Sequence, residues 1–245
     1  MSGFAKFQKS LLGVLAPRAL ALLHENREAM MQSLGADIFG EGADQLVPMR
    51  NPAPDDVFIN FLRAHFAEIS DSLANLETVQ FFLKRYSRSA TNVPPSTYVR
   101  YHVEAYFNEI YLLHNRLRNF FTRLKRAYRN AAAHDAIGKV TTKLDEAARN
   151  SFAGIVRTRG GHVHQSCFED AALRRLSLLD LLAKSGDPEF ARMYREAQRD
   201  VRRQKVAWIR DNNATIKRLV DSMFGIVHDI VFTPEGQIVL PRRSR

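Results

Sequence analysis

Between Val99 and Ala127, apolar side chains recur at gaps of four and three without a miss: Val99, Val103, Tyr106, Ile110, Leu113, Leu117, Phe120, Leu124 and Ala127. At 3.6 residues per turn these positions line one stripe, so the stretch predicts a single amphipathic α-helix. Pro94 and Pro95 stop what comes before and Ser96 is the expected N-cap, so the helix runs from Ser96 to about Arg129. At 1.5 Å per residue it would be on the order of 45 Å long. A stripe of that length belongs to a coiled-coil seam or a long bundle helix, which needs other helices to cover it.

The remaining sequence supplies them. Phe58, Leu62, Ile69, Leu73, Leu76 and Leu83 share a second stripe from Asp55 to about Tyr86, with Asp55 and Asp56 at the positive end of the helix dipole. SRSATNVPPS then breaks the chain. Ile137, Val140, Leu144, Ala148, Phe152 and Ile155 predict a third helix from about His134 to Arg157. The adjacent Gly160 and Gly161 should end it, since paired glycines favour a turn over a helix interior. A shorter Leu-rich helix fits Glu169 to Lys184. Asp187 as N-cap and Pro188 in the first turn open a last helix that reaches about Val231, with a break expected near Asn212 and Asn213.

At the two ends the signals differ. LLGVLAPRALALL predicts an amphipathic first helix with a proline break at Pro17, and residues 34–54 form a Gly- and Pro-rich connector. IVFTPEGQIVL reads as two short β segments around a Pro-Glu-Gly turn. The expected fold is all-α: an antiparallel bundle of long helices with one core and an optional C-terminal β-hairpin. The chain reads as one helical domain over 1–245, with an N-terminal helix and connector in 1–54, a bundle core in 55–185, and a basic helix and tail in 186–245.

Composition narrows the chemistry. An apolar share of 45% with 25% charged residues is ordinary globular usage, not that of a disordered chain. The net charge of +10 favours RNA or another polyanion as partner. One cysteine, Cys167, excludes a disulfide framework within the chain and a multi-thiolate zinc site, and points to a reducing, cytoplasmic setting. Cys167 reads as a small buried hydrophobe rather than an activated nucleophile. No stretch reaches the roughly 18 apolar residues that would span a bilayer, so no membrane partner is expected. Pro17 and Arg18 interrupt the N-terminal apolar run, which disfavours a signal peptide.

One segment departs from the helical background. RTRGGHVHQ, Arg157 to Gln165, sets two arginines, two glycines and two histidines at a junction between helices. Four residues separate Arg157 from His162, and four separate Arg159 from His164. With these residues the chain resembles the HEPN superfamily, helical bundles with an Arg, four to six residues and then a His where one long helix gives way to the next. The resemblance covers about residues 55–185. It implies a metal-independent endoribonuclease of toxin or phage-defence type, needing no cofactor, with a homodimeric assembly and an antitoxin-type protein partner. One difference is that Thr158 and Gly160 follow the two arginines, where active members usually carry a polar residue, often Asn.

The chemistry suits the residue types. RNA carries its own nucleophile, the 2′-hydroxyl, so cleavage needs proton transfer and neutralisation of phosphorane charge. Histidine moves protons near neutral pH. Arginine offers a fork of donors to phosphate oxygens. Glycines let backbone amides approach an anion. Arg159 would hold the phosphate and His164 would act as general acid or base, with Arg157 and His162 as supporting or alternative members. Two other readings stay open. The segment can be a structural junction in a non-enzymatic interaction or nucleic-acid-binding protein, its arginines offsetting a helix C-terminus. His162 and His164 could also face one metal ion, but only in an extended segment.

Arg192, Arg195, Arg199 and Arg202 form a positive stripe on the last helix, with Arg203 and Lys205 beside it; Arg118, Lys125, Arg126 and Arg129 add a second cluster. Either could track a phosphate backbone or be a solvated face. Phe58, Tyr106 and Phe120 read as core. Glu104 and Glu109 are placed to face the Arg/His segment within a bundle.

Overall fold

The structure, a computed structural model, describes residues 1–25, 27, 54–85, 93–131, 134–164 and 170–241. Of these, 87% lie in six helices: α1 (Gly3–Glu25), α2 (Pro54–Lys84), α3 (Pro95–Ala127), α4 (His134–His164), α5 (Ala171–Ala183) and α6 (Pro188–Val231). The architecture is the all-α bundle that the stripes predict. The connector over 34–53 and Cys167 lie outside the described residues. Two compact units are distinguishable: Met1–Phe66 with Ala127–His134 and Val220–Arg245, and Ala67–Arg126 with Asp135–Leu219. Their divisions at 66 and 219 fall inside α2 and α6.

The first unit is built on phenylalanines. Phe4 and Phe7 of α1 meet Phe66 and Phe224 with ring centroids 4.7 to 5.4 Å apart, and Phe232 lies 5.4 Å from Phe7. Such offset and edge-on pairs add to the burial of area. The amide of Phe4, one of the orphan donors of a helix start, donates to Asp221 Oδ1 at 3.0 Å. α1 passes through Pro17 without the expected break. The carbonyl that loses its partner belongs to Gly13, and both residues are exposed, so water can serve it.

The expected C-terminal hairpin is reduced to a turn. Ile230 and Val231 belong to α6, where Val227 and Val231 are fully buried, so packing holds them helical. Beyond them Phe232 and Ile238 form one antiparallel bridge. Thr233 N–H donates to Gln237 O and Val239 N–H to Val231 O, both at 2.8 Å. Gly236, at φ +82°, makes the reversal.

The second unit carries the long seam. Every predicted stripe residue of α3 from Val99 to Leu124 is buried. α2 runs antiparallel to α3: Arg116 donates to Glu68 O at 3.1 Å near one end, and Tyr98 Oη donates to Phe82 O at 2.9 Å near the other. α4 is antiparallel to α3 as well. Lys125 reaches Thr142, Arg118 reaches Asp145, and His114 lies against Phe152. Asp170 caps α5 through the Leu173 amide, and Asp187 accepts from the Glu189 amide at the start of α6.

Two local expectations change. Ser96 is not the N-cap of α3: Pro95 takes the first helical position and Tyr98 N–H donates to Pro94 O. A proline's fixed φ and missing donor suit that place. Nor does α6 break at Asn212 and Asn213. Asn213 gives its amide to Leu76 O and Gln80 Oε1 and accepts from Tyr106 Oη at 2.8 Å, so its polar groups do not compete for the backbone of its own helix.

Candidate functional site

Gly160 and Gly161 do not end the third helix. α4 continues through them to His164, so Arg157 to His164 occupies its last two turns instead of a junction. Two glycines in a helix disfavour it by about 1 kcal/mol each. Burial of Ile137, Leu144, Ala148 and Phe152 along the same helix outweighs that.

Helical backbone changes what the segment can do. Within a helix the amides of residues 160 and 161 point back to carbonyls four residues earlier, so they are not free to cradle an anion. What the glycines offer is the absence of side chains. Residues five apart are about 140° apart around the axis and about 7.5 Å along it. Arg159 and His164 therefore occupy different faces of α4, and so do Arg157 and His162. Helix neighbours are instead Arg159 with His162, three apart. The positions of His162 and His164 are about 160° apart around the axis, so the extended backbone that would turn both toward one metal ion is not present. Arg157 is exposed; the side chains of Arg159, His162 and His164 lie outside the described set.

The helix opposite bears carboxylates. His114 of α3 touches Phe152 of α4, with ring centroids 5.8 Å apart. Counting back along α3 and forward along α4 from that contact sets Glu109 level with Arg157 and Glu104 level with His162. Glu109 is half-buried, and its Oε2 is enclosed without a hydrogen-bond partner. The register thus sets the two glutamates at the height of the Arg/His segment along the helix pair; whether they face it rests on side chains outside the described set.

The basic stripe is divided. Arg192 is shared between Glu189 at 3.9 Å and Glu196 at 3.4 Å, and all three are exposed. Lys205 is buried against Asp170. Arg195, Arg199 and Arg203 are exposed, and Arg202 is half-buried. In the second cluster Arg118 is spent on Asp145 at 2.8 Å and Lys125 on Thr142, while Arg126 and Arg129 are exposed.

One cluster escaped the sequence reading. Asp145 holds Arg118 on one oxygen and Arg149 on the other. Burial alone would raise its carboxyl, but the two guanidinium hydrogen bonds prevail and hold it below the usual carboxylate range. Beside it sits His114, buried, with both ring nitrogens lacking a hydrogen-bond partner. Burial pushes its imidazole below the ordinary 6.5, and Arg118 pushes the same way. The only sequence signal was a histidine directly beside the stripe residue Leu113.

Among the described residues, no three His, Cys, Asp or Glu side chains gather closely enough to hold a metal ion, and no helix is long and apolar enough to cross a membrane. In comparisons with known proteins, the chain matches no family model, no curated protein and no solved structure.

Proposed function

We propose that the C-terminal end of α4 is a phosphate-handling site of HEPN type that cleaves RNA without a metal ion. Arg159 holds the scissile phosphate, His164 moves the proton, and Arg157 and His162 assist. The observation that supports this most is the gathering of two arginines and two histidines into two turns of one helix, about 10.5 Å of its length. Two adjacent glycines keep that surface low. The 140° between Arg159 and His164 favours a homodimer in which the arginine of one copy meets the histidine of the other, as an isologous interface permits.

Cleavage of a mixed RNA pool in EDTA tests the reading. Wild type should cut, and His164→Ala and Arg159→Ala should not. Mixing the two inactive variants should restore about a quarter of the activity, because half of the dimers would be mixed and each would keep one intact composite site. Absence of cutting by folded wild type would refute the nuclease reading.

The pairing of Arg192 with two glutamates, Lys205 with Asp170 and Arg118 with Asp145 favours a second reading. In that reading the basic stripes stabilise the bundle, and the chain is an interaction protein without catalysis.

A further inference from the structure

An exposed aromatic cluster lies at the meeting of the end of α2 and the start of α3. Phe81, Phe82 and Tyr101 are 46%, 49% and 66% exposed, values typical of surface polar residues rather than large aromatics. They form a connected patch. Phe81 and Phe82 meet edge-on at 5.7 Å, Phe82 lies near-parallel to His102 at 6.1 Å, and His102 contacts Tyr98 and Tyr101 edge-on at 4.3 and 5.4 Å. Tyr98 anchors the patch by donating to Phe82 O. Arg85 stands 4.2 Å over the centre of the Phe81 ring.

Cations predominate near these rings. Over 77–85 and 93–104 the charged residues are Lys84, Arg85 and Arg100 against Glu77 and Glu104, and Glu77 is paired with Lys217. Position joins the patch to the site above. His102 is twelve residues before His114 on α3, and His164 is twelve residues after Phe152 on α4. From the His114–Phe152 contact both helices travel about 18 Å toward the same end of the pair.

We infer that Phe81, Phe82 and Tyr101 form a stacking platform for unpaired nucleobases, so that the polyanion taken by the end of α4 is single-stranded RNA. The inference rests on the phosphate-handling reading of α4 and supplies its substrate class. Every base offers a flat face to an aromatic ring, whereas the bases of a duplex are already stacked on one another. Lys84 and Arg85 would meet the backbone phosphates as the rings meet the bases.

Binding separates this from catalysis. The probes are a 2′-O-methyl oligouridine, which lacks the attacking hydroxyl, and an RNA duplex of equal length, read by fluorescence anisotropy in EDTA with the full chain. Wild type should prefer the single strand. Tyr101→Ala, at an exposed position that the core does not need, should weaken single-strand binding about tenfold, and Tyr101→Phe should restore it. Duplex binding should not move. Phe82→Ala gives the same loss if it folds as wild type does by circular dichroism.

An unchanged affinity in Tyr101→Ala overturns the platform even where ordinary RNA is cut. Single-strand binding through Tyr101 without any cutting overturns the nuclease and leaves the platform standing. Lack of RNA binding by wild type overturns the platform as well. If, in that case, Tyr101→Ala alters the sedimentation of the free protein, the patch belongs to a second copy of the chain.

Discussion

Replacing Gly160 and Gly161 together by alanine pits the helical reading of α4 against the turn that paired glycines suggest. Both positions lie inside α4, which extends to His164. Alanine is favoured over glycine in a helix interior by about 0.8–1.0 kcal/mol per residue, and less in a terminal turn that frays. The pair should therefore stabilise the protein by about 1–2 kcal/mol. On the scale of about 2–4 °C per kcal/mol for a chain of this size, the midpoint should rise by roughly 2–8 °C. Thermal and urea unfolding followed by circular dichroism measures it. The same variant should lose RNA cleavage by about tenfold or more, since two methyl groups would raise the low surface of α4 that the substrate must approach. Gain in stability with loss of activity is the signature of a site that trades one for the other. A lower midpoint would refute the reasoning, because alanine destabilises only where the glycines adopt φ above zero or touch a neighbour closely. A higher midpoint with undiminished cleavage would remove the glycines from the site.

Three further outcomes follow from the packing. Asn213→Ala leaves the buried Tyr106 hydroxyl without its acceptor and should cost about 1–3 kcal/mol, and adding Tyr106→Phe should recover part of that in a urea double-mutant cycle; simple additivity would show that the hydrogen bond carries no energy. Gly3→Ala puts a Cβ within 2.6 Å of the Gly225 Cα and should cost about 1–3 kcal/mol, whereas Gly13→Ala meets open space in the same helix and should gain up to about 1 kcal/mol; equal midpoints for the two would contradict the close approach of α1 to α6. Because the fold disfavours the charged form of His114, the unfolded chain binds the extra proton, so stability is complete above 6.5 and falls as pH drops through that value. His114→Leu should flatten this acid loss in unfolding midpoints taken from neutral pH downward, and an unaltered slope would assign the loss to other groups.

The seam of α3 was legible because burial and period coincide there. Nine apolar positions at gaps of three and four have one common face, and the structure buries all of them except Ala127, which is half-buried. Where the local rules misled, packing had outvoted them. Pro17, Gly160 with Gly161, and Asn212 with Asn213 each carry a propensity against helix worth about 1–3 kcal/mol. Each sits in a helix whose other residues fill a core, such as Phe7 and Leu11 in α1 or Ile209 and Ile216 in α6. Val231 shows the same contest from the strand side. Its β-branched neighbours suggest a strand, yet a fully buried place in α6 keeps it helical.

The candidate site was legible as a list of residue types but not as a geometry. Arg-x4-His counts residues, and a count becomes a direction only when the backbone is known. In a turn the two side chains can meet; on α4 the two backbone positions are about 140° apart, which is why the proposed site pairs two copies. Period also says nothing about side chains that stay in water. Tyr101 and His102 occupy the gap between Val99 and Val103 on the seam, so the stripe that predicts the core passes over them. An aromatic residue in such a gap has no core to enter. Three exposed rings joined by contact, with Lys84 and Arg85 beside them, need a different account from the isolated surface aromatics of an ordinary bundle. The planar, unpaired base of a polyanion fits both halves of that description, the rings and the charge.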